Sequence, residues 1–276
     1  MSATASALYL DLLASAEGVD GKTEMASAIA RAAVSRVMHG RGALHVRRPV
    51  VLQAAGLRWY VPARDNSFAS TKPGHDNNSV MPELRRLLRA RPQPACIDIG
   101  ANLGFVSVPL AHEHPDRCFV AIEPVPWLAD AIERTAQLNH LGNLTVVARA
   151  LANTDSIELA IPTVGGVHLT TLSSAAGQAS PEAKGRTLSR CAVRAITLDA
   201  VLRELALDPR DVSCVKIDVE GLEPEVLATG ATALSARPPV LFEALGAEGR
   251  ERTEHVLRGF GYTKFRALDA QNFAAE

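Results

Sequence analysis

Excess charge of either sign is missing from this chain: its 276 residues carry 29 Lys and Arg against 30 Asp and Glu, a formal net charge of −1. Such a balance argues against the broadly basic surface by which proteins hold nucleic acid, and no nucleic-acid partner is expected. No hydrophobic run is long enough to span a bilayer, and no membrane partner is expected either. The first residues hold short apolar stretches without a basic leader and cleavage site, which predicts a cytoplasmic protein rather than an exported one. Cys96, Cys118, Cys191 and Cys214 form no C-x-x-C, so neither a zinc site nor a redox pair is indicated. Most of these cysteines are expected as buried, reduced thiols. The acidic residues show no fixed ligand spacing, and no metal is expected. What is present is length and apolar content (47 % hydrophobic residues), enough for one catalytic α/β domain with a sizeable appendage.

The appendage and domain are organised around Cys96-Ile97-Asp98-Ile99-Gly100-Ala101-Asn102-Leu103-Gly104-Phe105. An apolar strand ends in an acid, and two glycines then allow a sharp turn and a close backbone approach to a ligand. From Leu103 the pattern predicts a helix, which Pro109 should kink or shorten. Strand, glycine turn and helix N-terminus together make a nucleotide-type cleft in an open α/β sheet. A second strand pattern, Phe119-Val120-Ala121-Ile122, ends in Glu123, a carboxylate suited to the two hydroxyls of a ribose. The turn lacks the second glycine of the dinucleotide fingerprint G-x-G-x-x-G. It also follows Asp98, whose charge repels phosphate and suits a cation such as the ammonium and sulfonium of S-adenosylmethionine. Taken alone, a structural glycine turn with Asp98 capping the helix explains the segment equally well. Joined to Glu123, the cofactor reading is favoured.

Three segments carry a resemblance. Asp98-Ile99-Gly100-Ala101-Asn102-Leu103-Gly104, Glu123-Pro124-Val125-Pro126 and Lys216-Ile217-Asp218-Val219-Glu220-Gly221 resemble the hallmark segments of FkbM-type S-adenosylmethionine-dependent methyltransferases. They occur in the expected order within residues 95–245, and the third is the most specific. The resemblance implies a Rossmann-like class I methyltransferase fold, with a doubly wound, mostly parallel seven-stranded sheet. It implies S-adenosylmethionine as cofactor and cofactor-binding roles for Asp98, Gly100, Asn102, Gly104, Glu123, Pro124, Ala150 and Asp218. It also implies methylation of a hydroxyl on a sugar, polyketide or related secondary metabolite, with N-methylation as the alternative. A non-catalytic binding protein would keep the glycines and lose the substrate-facing groups, and this sequence keeps both.

Residues 1–90 read as an extension and 91–276 as the methyltransferase domain. Two alanine-rich amphipathic helices are expected, over 5–16 and from Met25 through Val37 to Gly40. Their stripes must be covered by the domain or by a second subunit, and the sequence leaves both open. Val46, Val50, Val51, Leu52, Leu57, Trp59, Tyr60 and Val61 around Gly56 predict a β-hairpin. Residues 65–78 read as a polar, mobile loop that could serve as a lid, and 81–89 as a basic helix with Leu84, Leu87 and Leu88 inward. A helix with Leu128, Ile132 and Ala136 on one face should end at Asn139 and Gly142 in C-cap chemistry. After the third strand, Arg149-Ala150-Leu151 would pass near the adenine in this fold. An added strand is expected at 156–161, then a long insertion over 162–190, and Cys191 to Ile196 as an edge strand. Thr197 should cap the next helix.

Methyl transfer to a hydroxyl needs alignment and a group that takes the hydroxyl proton. The carboxylates expected at the carboxyl edge of the sheet are Asp218, Glu220 and Glu243, and these are the candidate catalytic residues. Each has a structural alternative as a cap, a backbone anchor or a buried partner. Asp218 is nearest a strand tip. His168 is the one histidine in the insertion, where solvation is the commoner fate.

Overall fold

The computed structural model describes residues 10–39, 44–70, 79–164, 167–169, 174–175 and 187–276. Residues 10–15 are helical, and α1 follows as Gly18–His39. The hairpin is β1 (Val50–Ala54) and β2 (Leu57–Val61), paired from Val50↔Val61 to Ala54↔Leu57. Ala55 at φ 51° and Gly56 at φ 76° turn it, the two left-handed residues that a tight hairpin of this hand requires. Residues 5–9 and 40 of the two expected helices lie outside the described residues, and Leu10 is exposed, but part of their apolar stripes is covered within the chain. Leu12, Ala16, Met25, Ala28 and Ala32 are buried in one cluster with Leu52 and Trp59 of the hairpin and with Ala101, Leu103 and Val108 of the domain. Among the described residues no helix is long and apolar enough to cross a membrane.

The stretch read as a mobile polar loop, either a lid or a plain connector, begins as an anchor. Asp65 is buried, accepts a hydrogen bond from Ser67 N–H at 2.8 Å and another from Trp127 Nε1 at 2.9 Å, and is followed by one helical turn, Ser67–Ser70. Residues 71–78 of that expectation lie outside the described residues. The basic helix is α2 (Val80–Ala90), with Leu84, Leu87 and Leu88 buried as expected. Arg117 satisfies the carbonyls at and beyond its end, donating to Leu88, Arg91 and Gln93 at 2.7–3.0 Å.

The domain then runs β3 (Ala95–Ile99), α3 (Ser107–Glu113), β4 (Cys118–Ile122), α4 (Pro126–Leu138) and β5 (Leu144–Val147). Helix α3 starts at Ser107, not Leu103, because residues 102–106 form turns. Pro109 therefore sits in the first turn, where its missing N–H costs nothing, and it does not kink the helix. At the end of α4, Asn139 is the C-cap, but the left-handed residue is His140 at φ 56°, not Gly142. The Asn139 side chain compensates by donating to Thr135 O and Arg58 O, both at 2.7 Å.

Residues 150–196 build a second sheet. Its strands are β6 (Ala150–Leu151), β7 (Ser156–Val164), β8 (Val167–His168), β9 (Ser174–Ala175) and β10 (Thr187–Ile196). The insertion expected over 162–190 is thus partly strand, and β10 lies between β6 and β7 rather than at an edge. Strands β7 and β10 pair antiparallel from Thr187↔Thr163 to Arg194↔Ser156.

The chain returns through α5 (Leu198–Glu204), whose cap Thr197 accepts from Ala200 N–H as predicted. It continues as β11 (Val212–Ile217), α6 (Glu223–Leu227), α7 (Ala231–Ser235), β12 (Val240–Glu243), α8 (Gly246–Gly259), β13 (Phe265–Ala267) and β14 (Asn272–Ala275). The main sheet has seven strands in the order β13-β14-β12-β11-β3-β4-β5. The five from β12 to β5 are parallel, and β14 runs antiparallel to both its neighbours. The order reverses between β3 and β11, so the cleft opens at their carboxyl ends. This is the expected Rossmann-like class I methyltransferase fold. Both of its faces are buried. Ile97, Ile99, Val215 and Ile217 point to one core, while Cys96 and Cys214 point to the other beneath α2. All four cysteines are free; Cys96 and Cys214 are buried, whereas Cys118 is exposed and Cys191 half-buried.

Candidate active site

A cavity of about 370 Å³ lies over the carboxyl ends of β3, β4, β11 and β12. The glycine turn forms its floor. Gly100 at φ 74° and Asn102 at φ 53° are both left-handed, and Gly100 and Ala101 N–H donate to Ile122 O at 2.9 and 3.1 Å. A Cβ on Gly100 would stand 1.9 Å from Asp218 O. Its glycine requirement therefore comes from the neighbouring strand end, not from the space of a ligand. Gly104, at φ 80°, is not at the cavity: its missing Cβ would meet Val108 and Ile132 side chains at 2.8 and 3.4 Å, so it lets α3 and α4 close on the turn.

Glu123 sits just past β4, buried, with both oxygens engaged. Oε2 accepts from Asn102 N–H and Oε1 from Val125 N–H, each at 2.8 Å. Burial pushes its carboxyl up to about 7, against the pull of those two amides. The carboxylate is thus clamped facing the cavity with one lone pair per oxygen to spare. Gly100, Asn102, Glu123, Pro124, Ala150 and Asp218 all line the cavity.

Asp98 lies beneath the cavity lining, on the β3 position paired with Lys216. The Lys216 ammonium is 3.1 Å from Asp98 Oδ1, yet the angles leave both Asp98 oxygens without a hydrogen bond among the described residues. Asn102 Oδ1 is buried and unpartnered in the same way. Buried polar atoms in this state ask for a ligand or ordered water.

The mouth carries the candidate catalytic acids. Asp218 follows β11 with its side chain 41 % exposed, 3.7 Å from Lys216 Nζ. Glu243 ends β12, and burial followed by the Asp218 charge pushes its carboxyl up to about 9. Glu220, at φ 56°, lines the cavity from the turn after β11. That turn is held by a residue the sequence did not single out. Buried Glu223 Oε1 accepts from Val219 and Gly221 N–H at 2.9 and 3.3 Å. His168 is elsewhere, on β8 against the Trp127 ring at 4.7 Å. Lys216 was also missed as a functional group. Its signals were its place at the head of the third hallmark segment and a lysine inside a strand whose six residues are all buried.

A family model described as the methyltransferase FkbM domain matches residues 98–265, more than half of the chain. This chain belongs to the FkbM methyltransferase family. The match spans the glycine turn, Glu123 and the Asp218 turn, and S-adenosylmethionine is the cofactor of an FkbM methyltransferase. The residues present suit that ligand: Asp98 and the Asn102 side-chain oxygen are buried without a hydrogen bond beside the cavity, and Glu123 is clamped facing it. No curated protein matches the chain. Among solved structures, it is similar to a precorrin-6y C5,15-methyltransferase from Geobacter metallireducens, at 15 % identity over 74 % of this chain and 88 % of that one, TM-score 0.43. It is also similar to a SAM-dependent O-methyltransferase from Thermotoga maritima, at 10 % identity over 82 % and 77 %, TM-score 0.44. The M. jannaschii TYW2 in complex with AdoMet gives 12 % identity over 85 % and 86 %, TM-score 0.43. These distant likenesses add nothing to the fold read from the strand order of this FkbM chain.

Proposed function

We propose that this chain is a cytoplasmic O-methyltransferase, moving the methyl group of S-adenosylmethionine to a hydroxyl of a small metabolite such as a sugar or polyketide intermediate. The observation that carries the reading is the placement of Asp218: its carboxyl group is 41 % exposed just past the tip of β11 and lines the cavity beside Glu243. An acceptor hydroxyl seated there finds a carboxylate able to orient it and take its proton.

Glu123 would hold the ribose hydroxyls with its spare lone pairs. Asp98 and Asn102 would face the polar end of the cofactor, and Ala150 and Leu151 would leave a flat apolar slot for the base. Bound S-adenosylmethionine supplies a methyl group already activated by a positive sulfur. The chain therefore needs to align the acceptor, exclude water and receive one proton. A positioned base typically contributes about 10²–10⁴-fold. The test is a panel of hydroxylated and aminated small molecules offered with isotope-labelled S-adenosylmethionine, read by mass spectrometry. Transfer to oxygen that drops about 10²-fold or more in Asp218→Asn, with cofactor affinity near normal, is expected. Transfer to nitrogen alone, or wild-type turnover in that variant, refutes the reading.

A further inference from the structure

Lys216 is the least expected residue in the main sheet: an ammonium 8 % exposed in the middle of a parallel, doubly covered sheet. Its position follows from register. Lys216 pairs with Asp98 across β3 and lies two residues before Asp218, so all three side chains share one face of the sheet. Nζ reaches Asp98 Oδ1 at 3.1 Å, Gly100 O at 3.1 Å and Asp218 Oδ2 at 3.7 Å. A buried lysine normally gives up its proton. Here burial is overcome by Asp98 and Asp218 first and Glu243 after them, and the amine is held charged.

One cation thus touches the floor of the cofactor turn on one side and the acceptor-facing acid on the other. The groups that act on it are acids: Asp98 from β3, Glu123 from the end of β4, Asp218 from the turn after β11, and Glu243 from β12, which is itself faced by Glu220 from that turn and Glu223 from α6. Taking the cation away would leave these carboxyls facing one another, and the cheapest relief is uptake of another proton by the Asp218–Glu243 pair. A protonated Asp218 cannot accept a hydroxyl proton.

We propose that Lys216 is a positioning residue for methyl transfer: its ammonium offsets the charge of the Asp218 carboxylate, holds it aimed at the cavity, and ties it to the glycine turn that holds the cofactor. The catalytic consequence rests on the reading of Asp218 given above, but the electrostatic claim does not. It is tested on the full chain by carboxyl ¹³C NMR titration of wild type, Lys216→Met, Lys216→Arg and the double variant Asp98→Asn with Lys216→Met. The double variant removes the cation without leaving Asp98 charged and alone, so it keeps the test alive if the single change prevents folding. The expected result is that the Asp218–Glu243 pair takes up its second proton at a higher pH in both methionine variants, by about one unit or more in Lys216→Met, the scale of a lost neighbouring charge, and by less in the double variant, where the more distant Asp98 anion is lost as well. Lys216→Arg should titrate like wild type. A pair that titrates unchanged in the double variant overturns the proposal. With an accepting alcohol in hand, the acid limb of the kcat profile should move by the same amount while S-adenosylmethionine affinity changes less than tenfold. Loss of activity in Asp218→Asn with an unmoved limb in the double variant would sink the role of Lys216 and spare the base. Full activity in Asp218→Asn would sink the base, and the titration would still decide the electrostatics.

Discussion

Gly100→Ala should be among the most damaging single-methyl additions in the molecule, and the reason can be separated into parts. The backbone at Gly100 is left-handed at φ 74°, which costs an L-residue about 1–2 kcal/mol. The new Cβ would also stand 1.9 Å from Asp218 O, 2.9 Å from Asp218 C and 3.3 Å from a Val219 methyl. Contact distances for a real Cβ begin near 3.0 Å, so the two backbones must part by about 1 Å. Neither yields easily. Gly100 N–H is bonded to Ile122 O at 2.9 Å, and Asp218 N–H to Ile99 O at 3.1 Å. Overpacking of this kind adds about 1–3 kcal/mol, for a total of about 2–5 kcal/mol. Gly56→Ala is the matched control. It has φ 76° with nothing within 4 Å of the added carbon, so it carries the left-handed cost alone. Thermal melts of the two variants should differ by roughly 2–12 °C, at about 2–4 °C per kcal/mol for a chain of this class. Turnover in Gly100→Ala should fall about 10²-fold, because the collision moves Asp218. If the two variants melt together, the close approach of Gly100 to the β11 turn is not what excludes a side chain there.

Further expectations follow from the carboxyls. Glu123→Gln puts an amide NH₂ against either Asn102 or Val125 N–H, so cofactor affinity measured by calorimetry should weaken by about 1.5–3 kcal/mol; unchanged affinity would remove Glu123 from the site. Glu123 and Glu243 are both raised from the usual 4.5, to about 7 and about 9, so each binds its proton more tightly folded than unfolded. Their contribution is complete below pH 4.5 and is lost as pH rises, through about 7 for Glu123 and about 9 for Glu243. Through these two groups denaturant midpoints should therefore fall from about pH 4.5 to 9, and Glu243→Gln should flatten the part of the fall above about pH 7; an equal slope there in the variant would refute the assignment. Tyr262→Phe removes the hydroxyl that donates to Pro238 O at 2.6 Å from a buried ring, and should cost about 0.5–1.5 kcal/mol in unfolding titrations without altering cofactor binding.

The parallel strands were legible because burial on both faces leaves an unbroken apolar run, as in Cys96-Ile97 and Phe119-Val120-Ala121-Ile122, ended by an acid. Local chemistry was legible as well: Thr197 caps its helix, and Gly56 turns the hairpin. What escaped depends on partners distant in sequence. Strand β14 is four residues whose place between β12 and β13 is fixed by pairing alone, and β10 looks like an edge until β6 and β7 flank it. In the site, the line of acids could be read residue by residue. Lys216 could not, since its meaning comes from lying across the register from Asp98. The glycines show the same limit: Gly100 and Gly104 share a positive φ and a motif, but one yields to a strand end and the other to two helices.

The buried cluster that joins Met25 and Ala28 of α1 to Leu52 and Trp59 of the hairpin also contains Ala101 and Leu103, the inner side of the glycine turn. A core shared in this way behaves as one cooperative unit, whose members exchange their amide protons through a common opening rather than one by one. Ligand held at the turn at a hundred times its Kd would deepen that opening by about 2.7 kcal/mol for the whole unit. The amides of α1, which line no part of the cavity, should then slow their exchange about as much as those of the turn itself. The helix ahead of the catalytic domain would in that sense report on occupancy of a cavity it never meets.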